Sequence, residues 1–507
     1  MPRPWWWVCF YALAWYTLMA SHSVYGSEIS VVHSFVRLPA DYINMTTIRS
    51  GNKKSSKLVV FVREKNRSRH SLFAETFVKQ GESLAIGKRV DIPDDTAAFD
   101  VCQLPSSPEE DSIILIRPSG LYVLGASTPL ISSPTVFAHK QETSLPRIRV
   151  CFDVYREEPQ AFIVPSLAGL TIYRQEKTGA WTAAGKMDFH AELRHQSPLM
   201  RGEELSRTQR ISFRLDLPDV SVLDLSGDGL ADICLTIRDR FRCRLQDAQK
   251  GLSEISPKEI SFDAKLLTEE EYLDTNIRIE SKLVDLTGDQ RPDLIVSKTN
   301  WNLAVLGTTL SVYPQSTTGV FPSQPSATLM RRGYFSYQEY FDFDGDGLTD
   351  IVAPYADIDW TALASIYLTR KVDIDFIWYR NKGGRFDAKP NTIHSITYPV
   401  EFKNIPAILG ALPHWPMARN PGSVPNQQHP IIFFPQKAAI EWRAVTPEAR
   451  SSGGKAETLL GRHEAPLGSD SLRLDMDQDG RDELVFGYPR DPARQSQILF
   501  VTQKSGS

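Results

Sequence analysis

"YFDFDGDGLTDIVAPY", Tyr340 to Tyr355, sets four aspartates within nine residues (Asp342, Asp344, Asp346 and Asp350) and then turns abruptly apolar. Three readings compete: an acidic active site, a calcium loop of the EF-hand kind, or one unit of a repeat. Three further segments favour the repeat. "DLSGDGLADICLTI" starts at Asp224, "DLTGDQRPDLIVSK" at Asp285 and "DMDQDGRDELVFGYP" at Asp475. All four obey D-x-[DST]-x-D-x-x-x-[DE] and run directly into an aliphatic or β-branched stretch. Near-average residue frequencies would give that pattern roughly 0.05 times in a chain of this length.

The starting aspartates lie 61, 57 and 133 residues apart, so the last interval holds a degenerate unit, placed around "HPIIFFPQKAAIEWR" (His429–Arg443). Strand pairs of the same rhythm without the acidic loop precede them, near Lys57, Asp100 and Asp153. Units of three or four short antiparallel strands at this period make the chain all-β and predict a β-propeller of seven or eight four-stranded blades. The final unit, ending in "SQILFVTQ", is one strand short, and "ISVVHSFVRL" near the start is an orphan strand. The N-terminal strand is therefore expected to complete the last blade and close the ring. The segments Ala191–Ser206 and Leu266–Asp274 are read as candidate short helices between strands.

Acids at positions 1, 3, 5 and 9 of a tight turn bring hard oxygens together, a donor set that suits Ca²⁺. Expected ligands are Asp224, Ser226, Asp228, Leu230 (by its carbonyl) and Asp232 in loop 1, and Asp285, Thr287, Asp289, Arg291 (carbonyl) and Asp293 in loop 2. Loop 3 offers Asp342, Asp344, Asp346, Leu348 (carbonyl) and Asp350; loop 4 offers Asp475, Asp477, Asp479, Arg481 (carbonyl) and Glu483. Glycine at position 6 (Gly229, Gly347, Gly480) permits a left-handed backbone, whereas loop 2 has Gln290 there. Loop 3, with four ligand-position carboxylates and Gly347, should bind most tightly, with loop 4 close behind, and loop 2, with Thr287 and Gln290, most weakly. An EF-hand needs a glutamate at position 12 and flanking helices. Position 12 here is Leu235, Val296, Ala353 or Phe486, in β-prone sequence, so the EF-hand reading fails.

The D-x-x-G-D-G-x-x-D core followed by a hydrophobic strand resembles the FG-GAP/VCBS repeat of integrin α-subunit propellers and many secreted microbial proteins. "VFGYP" (Val485–Pro489) stands where that family often carries its G-A-P segment, and "VAPY" (Val352–Tyr355) is a looser version. The resemblance is specific over the four loops, covering roughly residues 211–360 and 470–507. It implies a ring, most often of seven blades, with Ca²⁺ in the loops.

The chain opens with Arg3, an apolar run from Trp5 to Ala20 and a small-residue stretch, the layout of a secretory signal peptide cut before Ser27. Residues 1–26 are thus read as a signal and 27–507 as a single propeller domain without a membrane span. Of the five cysteines, Cys9 falls in the signal. Cys234 and Cys243 flank a predicted hairpin and are expected to bridge, leaving Cys102–Cys151 as the second pair. A net charge of −4 with no basic run argues against a nucleic-acid partner. "HAELRH" (His190–His195) lacks zincin spacing, and no nucleophile elbow or phosphate-cradling loop is present. The leading expectation is an exported calcium-binding scaffold for a protein or glycan. The alternative is an exported polysaccharide lyase or hydrolase with its chemistry in the central channel. An aromatic face would favour the first, a channel with convergent Lys, Tyr, His or acids the second.

Overall fold

The computed structural model describes residues 31–503 apart from connecting segments, the longest of which are 197–211, 247–258, 400–430 and 446–456. Seven four-stranded antiparallel blades are arranged as a β-propeller. Blade I comprises Asp41–Ser50, Ser55–Lys65, His70–Gln80 and Ser83–Ile92. Blade II comprises Ala98–Gln103, Asp111–Arg117, Gly120–Val123 and Ile131–Ser132; blade III comprises Cys151–Phe152, Ala161–Ser166, Gly169–Gln175 and Trp181–Met187. Blade IV comprises Asp219–Leu223, Asp232–Ile237, Arg240–Arg244 and Glu259–Asp263; blade V comprises Ile277–Val284, Asp293–Asn300, Gly307–Tyr313 and Ala327–Arg332. Blade VI has a split first strand (Tyr334–Phe335 and Glu339–Phe341), then Asp350–Ala356, Lys371–Tyr379 and Asn391–Pro399.

The closing blade comprises Asp470–Leu474, Glu483–Gly487 and Gln497–Gln503, and its fourth strand is the N-terminal Val31–Arg37, paired from Val31↔Gln503 to Arg37↔Gln497. The expected closure is thus realised. Between blade VI and the closing blade along the chain lies a three-stranded sheet, Ile431–Gln436, Ala439–Val445 and Glu457–Glu464, where the degenerate unit was expected.

The aliphatic run after each acidic loop is a second strand, and it is buried on both faces. Asp350–Ala356 is buried at every residue, and Asp232–Ile237 at all but the last. Blades stack face to face, so this strand meets apolar neighbours on both sides and reads as a continuous run instead of an alternation. The core is accordingly a set of seams. Leu58, Val60 and Phe73 of blade I pack with Val485, Ile498 and Phe500 of the closing blade. Phe61 of blade I meets Phe99 and Leu115 of blade II. Ile163 and Ile172 of blade III meet Ile233 and Leu235 of blade IV, and Cys234 and Phe241 of blade IV meet Leu294 and Tyr313 of blade V. Gly487, in "VFGYP", has no room for a side chain because a Cβ there would strike the Tyr42 ring of blade I.

One helix expectation is corrected and the other is met in its described part. Within Ala191–Ser206, Glu192–Gln196 is a strand paired with Ser212–Asp216, since its residues complete a ladder that an isolated short helix would lack; residues 191 and 197–206 lie outside the described residues. In Leu266–Asp274 the expectation holds for the described part: Glu271 and Tyr272 are helical, entered through a reciprocal cap between Thr268 and Glu271, with Tyr272 N donating to Thr268 O at 2.9 Å. Residues 269, 270 and 273 lie outside the described residues. The only helix of ten residues among those described is α1, Trp360–Thr369, between the second and third strands of blade VI.

Candidate functional site

Each acidic loop joins the first and second strands of its blade. Position 12 of the described loops is buried in mid-strand at Leu235, Val296 and Ala353, which bears out the rejection of an EF-hand. The position-1 aspartate organises the turn through backbone amides. Gly227 N and Gly229 N donate to Asp224 at 2.7 Å each, Gly288 N and Gln290 N to Asp285 at 2.8 Å each, and Asp346 N and Gly347 N to Asp342 at 3.1 and 2.9 Å. Gly229 and Gly347 take φ of 82° and 86°, and Gln290 takes 66° in the same place. Loop 2 therefore keeps the turn without its glycine, at a strain of roughly 1 kcal/mol.

The position-9 acid is a staple. Asp232, Asp293 and Asp350 are fully buried. One oxygen accepts from the amide of position 2: Leu225 N at 2.9 Å, Leu286 N at 2.8 Å and Phe343 N at 3.1 Å. The other accepts from a residue just past the third strand: Gln246 N at 2.7 Å, Gln315 N at 2.8 Å and Asn381 N at 2.7 Å. Burial pushes Asp232 and Asp350 up to about 6 against the opposing pull of these donors.

Sequence reasoning missed the residues at 246, 315 and 381. All three are carboxamides, two residues past the ladder pairs Ile233↔Arg244, Leu294↔Tyr313 and Ile351↔Tyr379. Two of them reach into the preceding blade. Gln315 Nε2 donates to Leu225 O at 2.8 Å, and Asn381 Nδ2 to Leu286 O at 2.6 Å. Because Leu286 N and Leu225 N are held by Asp293 and Asp232, the bonds form a continuous relay from Asp350 through blade V to blade IV. At the ring closure the same carbonyl position, Met476 O, accepts from Ser56 N of blade I at 3.1 Å. Lys79, two residues past the pair Leu58↔Phe77 of blade I, forms a buried ion pair with Glu483.

The donor set fits a hard cation. In loop 3, oxygens of Asp342, Asp344 and Asp350 lie within 4.8 Å of one another, a spacing matched to ligands about 2.3–2.6 Å from one Ca²⁺. Position 3 offers buried oxygens: Ser226 Oγ and Thr287 Oγ1 have no hydrogen-bond partner, and Asp344 Oδ2 is met by the Arg380 guanidinium, with Nε at 2.7 Å. Buried oxygens of this kind are costly unless something binds them. Burial, with Asp346 and Asp342 nearby, raises the Asp344 carboxyl above its usual range, and Arg380 opposes the rise. In loop 4, Met476 N donates to Glu483 at 2.8 Å; Asp477, Asp479 and Arg481 lie outside the described residues.

Both expected cysteine pairs stand at bridging distance. Cys234 and Cys243 are opposite each other on neighbouring strands with Cα atoms 4.1 Å apart, and Cys102 and Cys151 join the first strands of blades II and III at 5.9 Å.

Two other surfaces can meet a ligand. A cavity of about 630 Å³ is lined by the first strands of blades IV, V and VI, where a propeller's central channel lies. Asp219, Glu280, Lys282, Glu339 and Tyr340 contribute to its wall, with Lys282 Nζ 5.3 Å from the Tyr340 ring centre. Desolvation, then the nearby Glu280 charge, raises Asp219. The second surface is α1. Leu363 and Ile366 bury one side of the helix, while Trp360, Tyr367 and Leu368 are 63%, 60% and 79% exposed. Their i, i+7, i+8 spacing makes one outward stripe.

These features define a β-propeller with acidic inter-strand loops. No family model matches the chain, and no curated protein matches it. Among solved structures, an Agrocybe aegerita lectin described as recognising non-reducing terminal N-acetylglucosamine is similar at a TM-score of 0.39 and 13% identity, over 72% of this chain and 87% of that one. The Dos1 propeller aligns over 92% of this chain and 94% of its own with a TM-score of 0.35 and 6% identity. A putative 6-phosphogluconolactonase from Bacteroides fragilis aligns over 83% and 84% with a TM-score of 0.28 and 10% identity. At these scores the likenesses identify no ligand.

Proposed function

We propose that the protein is an exported calcium-binding propeller that serves as a scaffold for a protein or glycan ligand, with α1 as part of the contact face. The outward stripe of Trp360, Tyr367 and Leu368 carries this reading. Flat aromatic rings offer stacking area to sugars and anchoring area to proteins at small entropic cost. The acidic loop and α1 flank opposite ends of the strand Asp350–Ala356, separated by about 20 Å of chain. Calcium in the loops would therefore hold the ring from one end while the other meets the ligand. The buried position-3 oxygens support calcium, and the FG-GAP/VCBS resemblance of the loops agrees with it. The signal-like N-terminus and the two cysteine pairs support export. Among the described residues no helix is long and apolar enough to cross a membrane.

The test is a glycan array and a pull-down with the protein lacking residues 1–26. Trp360→Ala with Tyr367→Ala should abolish capture while leaving the melting temperature unchanged, because neither ring is buried. Capture that survives the double substitution removes α1 from the reading. For calcium, melting should rise on adding the ion and fall in chelator; identical melting in both would end the metal claim.

The cavity favours a second reading, the exported lyase or hydrolase, because Lys282, Tyr340 and three carboxylates converge there. Turnover of a polysaccharide that is lost in Asp219→Asn and Lys282→Met would establish it.

A further inference from the structure

Loop 3 has more carboxylates than any other described loop, and the chain supplies a cation to it. Arg380 follows the third strand of blade VI, and its guanidinium reaches into the loop. Nε lies 2.7 Å from Asp344 Oδ2 and a terminal nitrogen 3.2 Å from Asp346 Oδ2. Asp344 is 6% exposed, whereas the Arg380 side chain is 44% exposed and has solvent beside it. The neighbouring Asn381 pins the backbone at that point, through its amide to Asp350 and its side chain to Leu286 O and Thr349 O. The arginine is therefore anchored at its root and free to swing at its tip.

Asp344 and Asp346 stand at positions 3 and 5 of the expected ligand set. Their Oδ1 atoms accept from Asp346 N and Leu348 N, which leaves for a metal the two Oδ2 atoms that face the guanidinium, so ion and arginine cannot both hold them. We propose that Arg380 is a tethered cation that competes with Ca²⁺ for loop 3: it neutralises Asp344 and Asp346 when the ion is absent and swings out when the ion enters. This rests on the calcium reading above. The other described loops differ. Loop 2 has Arg291 on Asp289 alone. Loop 1 shows no ion pair to Asp224, Asp228 or Asp232 among the described residues, and Leu245 stands at the ladder position of Arg380. Carboxylate number then stops predicting affinity, and loop 1, with a serine at position 3, takes up calcium more readily than its charge implies.

The test is calorimetric titration of the chelator-stripped protein with calcium alone, comparing the parent with Arg380→Gln, Arg380→Lys and Arg380→Gln with Asp344→Asn. Removing a like charge a few ångströms from the ion should tighten one site by about tenfold or more in Arg380→Gln. Arg380→Lys should stay near the parent, and the gain should vanish in the double variant. Melting of Arg380→Gln in chelator should fall below the parent's, because the carboxylates lose their cation. A titration of Arg380→Gln that superimposes on a calcium-binding parent overturns the competition and leaves the calcium reading intact. Absence of calcium binding in both proteins overturns the calcium reading, and the competition with it.

Discussion

The seam between blades II and III and the seams through blades IV, V and VI do the same job with different chemistry. At the first, the segment before blade III runs beside the first strand of blade II, with Phe99 N donating to Pro146 O at 3.1 Å and Ile148 N to Phe99 O at 2.9 Å. Buried Asp100 accepts from Val150 N and Cys151 N, Arg147 pairs with its other oxygen, and Cys102 and Cys151 complete the seam. At the others there is no covalent link. A carboxamide from one blade holds a carbonyl of the preceding blade's acidic loop, and the loop keeps its shape through its own aspartates. The seam between blades II and III thus carries a covalent link, and the seams through blades IV, V and VI rest on the carboxamides and the acidic loops.

That difference predicts separable sensitivities. Removing the 49-residue bridge by Cys102→Ala with Cys151→Ala should cost about 4 kcal/mol by the loop-closure relation. The loss, read from denaturant unfolding midpoints, should be the same in calcium and in chelator. A disulfide effect that grows sharply when calcium is removed would show that the two halves unfold as one unit and break the distinction.

The ring closure joins the two kinds of seam. Lys79, on a blade without an acidic loop, pairs with Glu483 of loop 4, and Thr502 Oγ1 and Met476 N also face that carboxylate. Lys79→Met leaves a carboxylate that is 1% exposed without its cation, and is expected to cost about 3 kcal/mol. Replacing both residues, Lys79→Met with Glu483→Leu, should recover much of that loss, because no buried charge remains. If the double variant is no more stable than the single one, Glu483 acts through its hydrogen bond to Met476 N and not through charge.

The acidic loops, the buried second strands and the closing N-terminal strand were all legible, because each leaves a local mark: fixed spacing, a continuous aliphatic run, an orphan strand. The three-stranded sheet at Ile431–Glu464 was legible for the same reason. The carboxamides were not. They sit 14, 22 and 31 residues after the acid they cap, since the hairpin between varies from a tight turn in blade IV to α1 in blade VI. Three dimensions hold the register constant while the sequence spacing drifts. Arg380 was hidden for the same reason, 34 residues from Asp346. The exposed stripe on α1 also escaped notice, because Trp360, Tyr367 and Leu368 read as a helix face only once Asp359 is seen capping Ala362 N.

The smallest effect tests the relay most cleanly, because two glutamines at the same ladder position differ only in what lies beyond them. Gln315 is 6% exposed and its Nε2 donates to Leu225 O in the acidic loop of blade IV. Gln246 holds the equivalent place in blade IV, but the blade before it has no acidic loop, and its Oε1 is buried without a partner. Backbone amides cap Asp293 and Asp232 in both cases and survive substitution. Gln315→Ala therefore removes one inter-blade bond and leaves Leu225 O unpaired, for about 1–2 kcal/mol. Among the described residues Gln246→Ala removes no such bond, and it should stay within about 0.5 kcal/mol of the parent. Equal losses would mean that the carboxamides matter as packing within their own blades. A loss at Gln315 alone ties the seam to the loop, and predicts slower amide exchange at Leu225 and Ser226 whenever loop 1 is occupied, since the same carboxylate, Asp232, accepts from both.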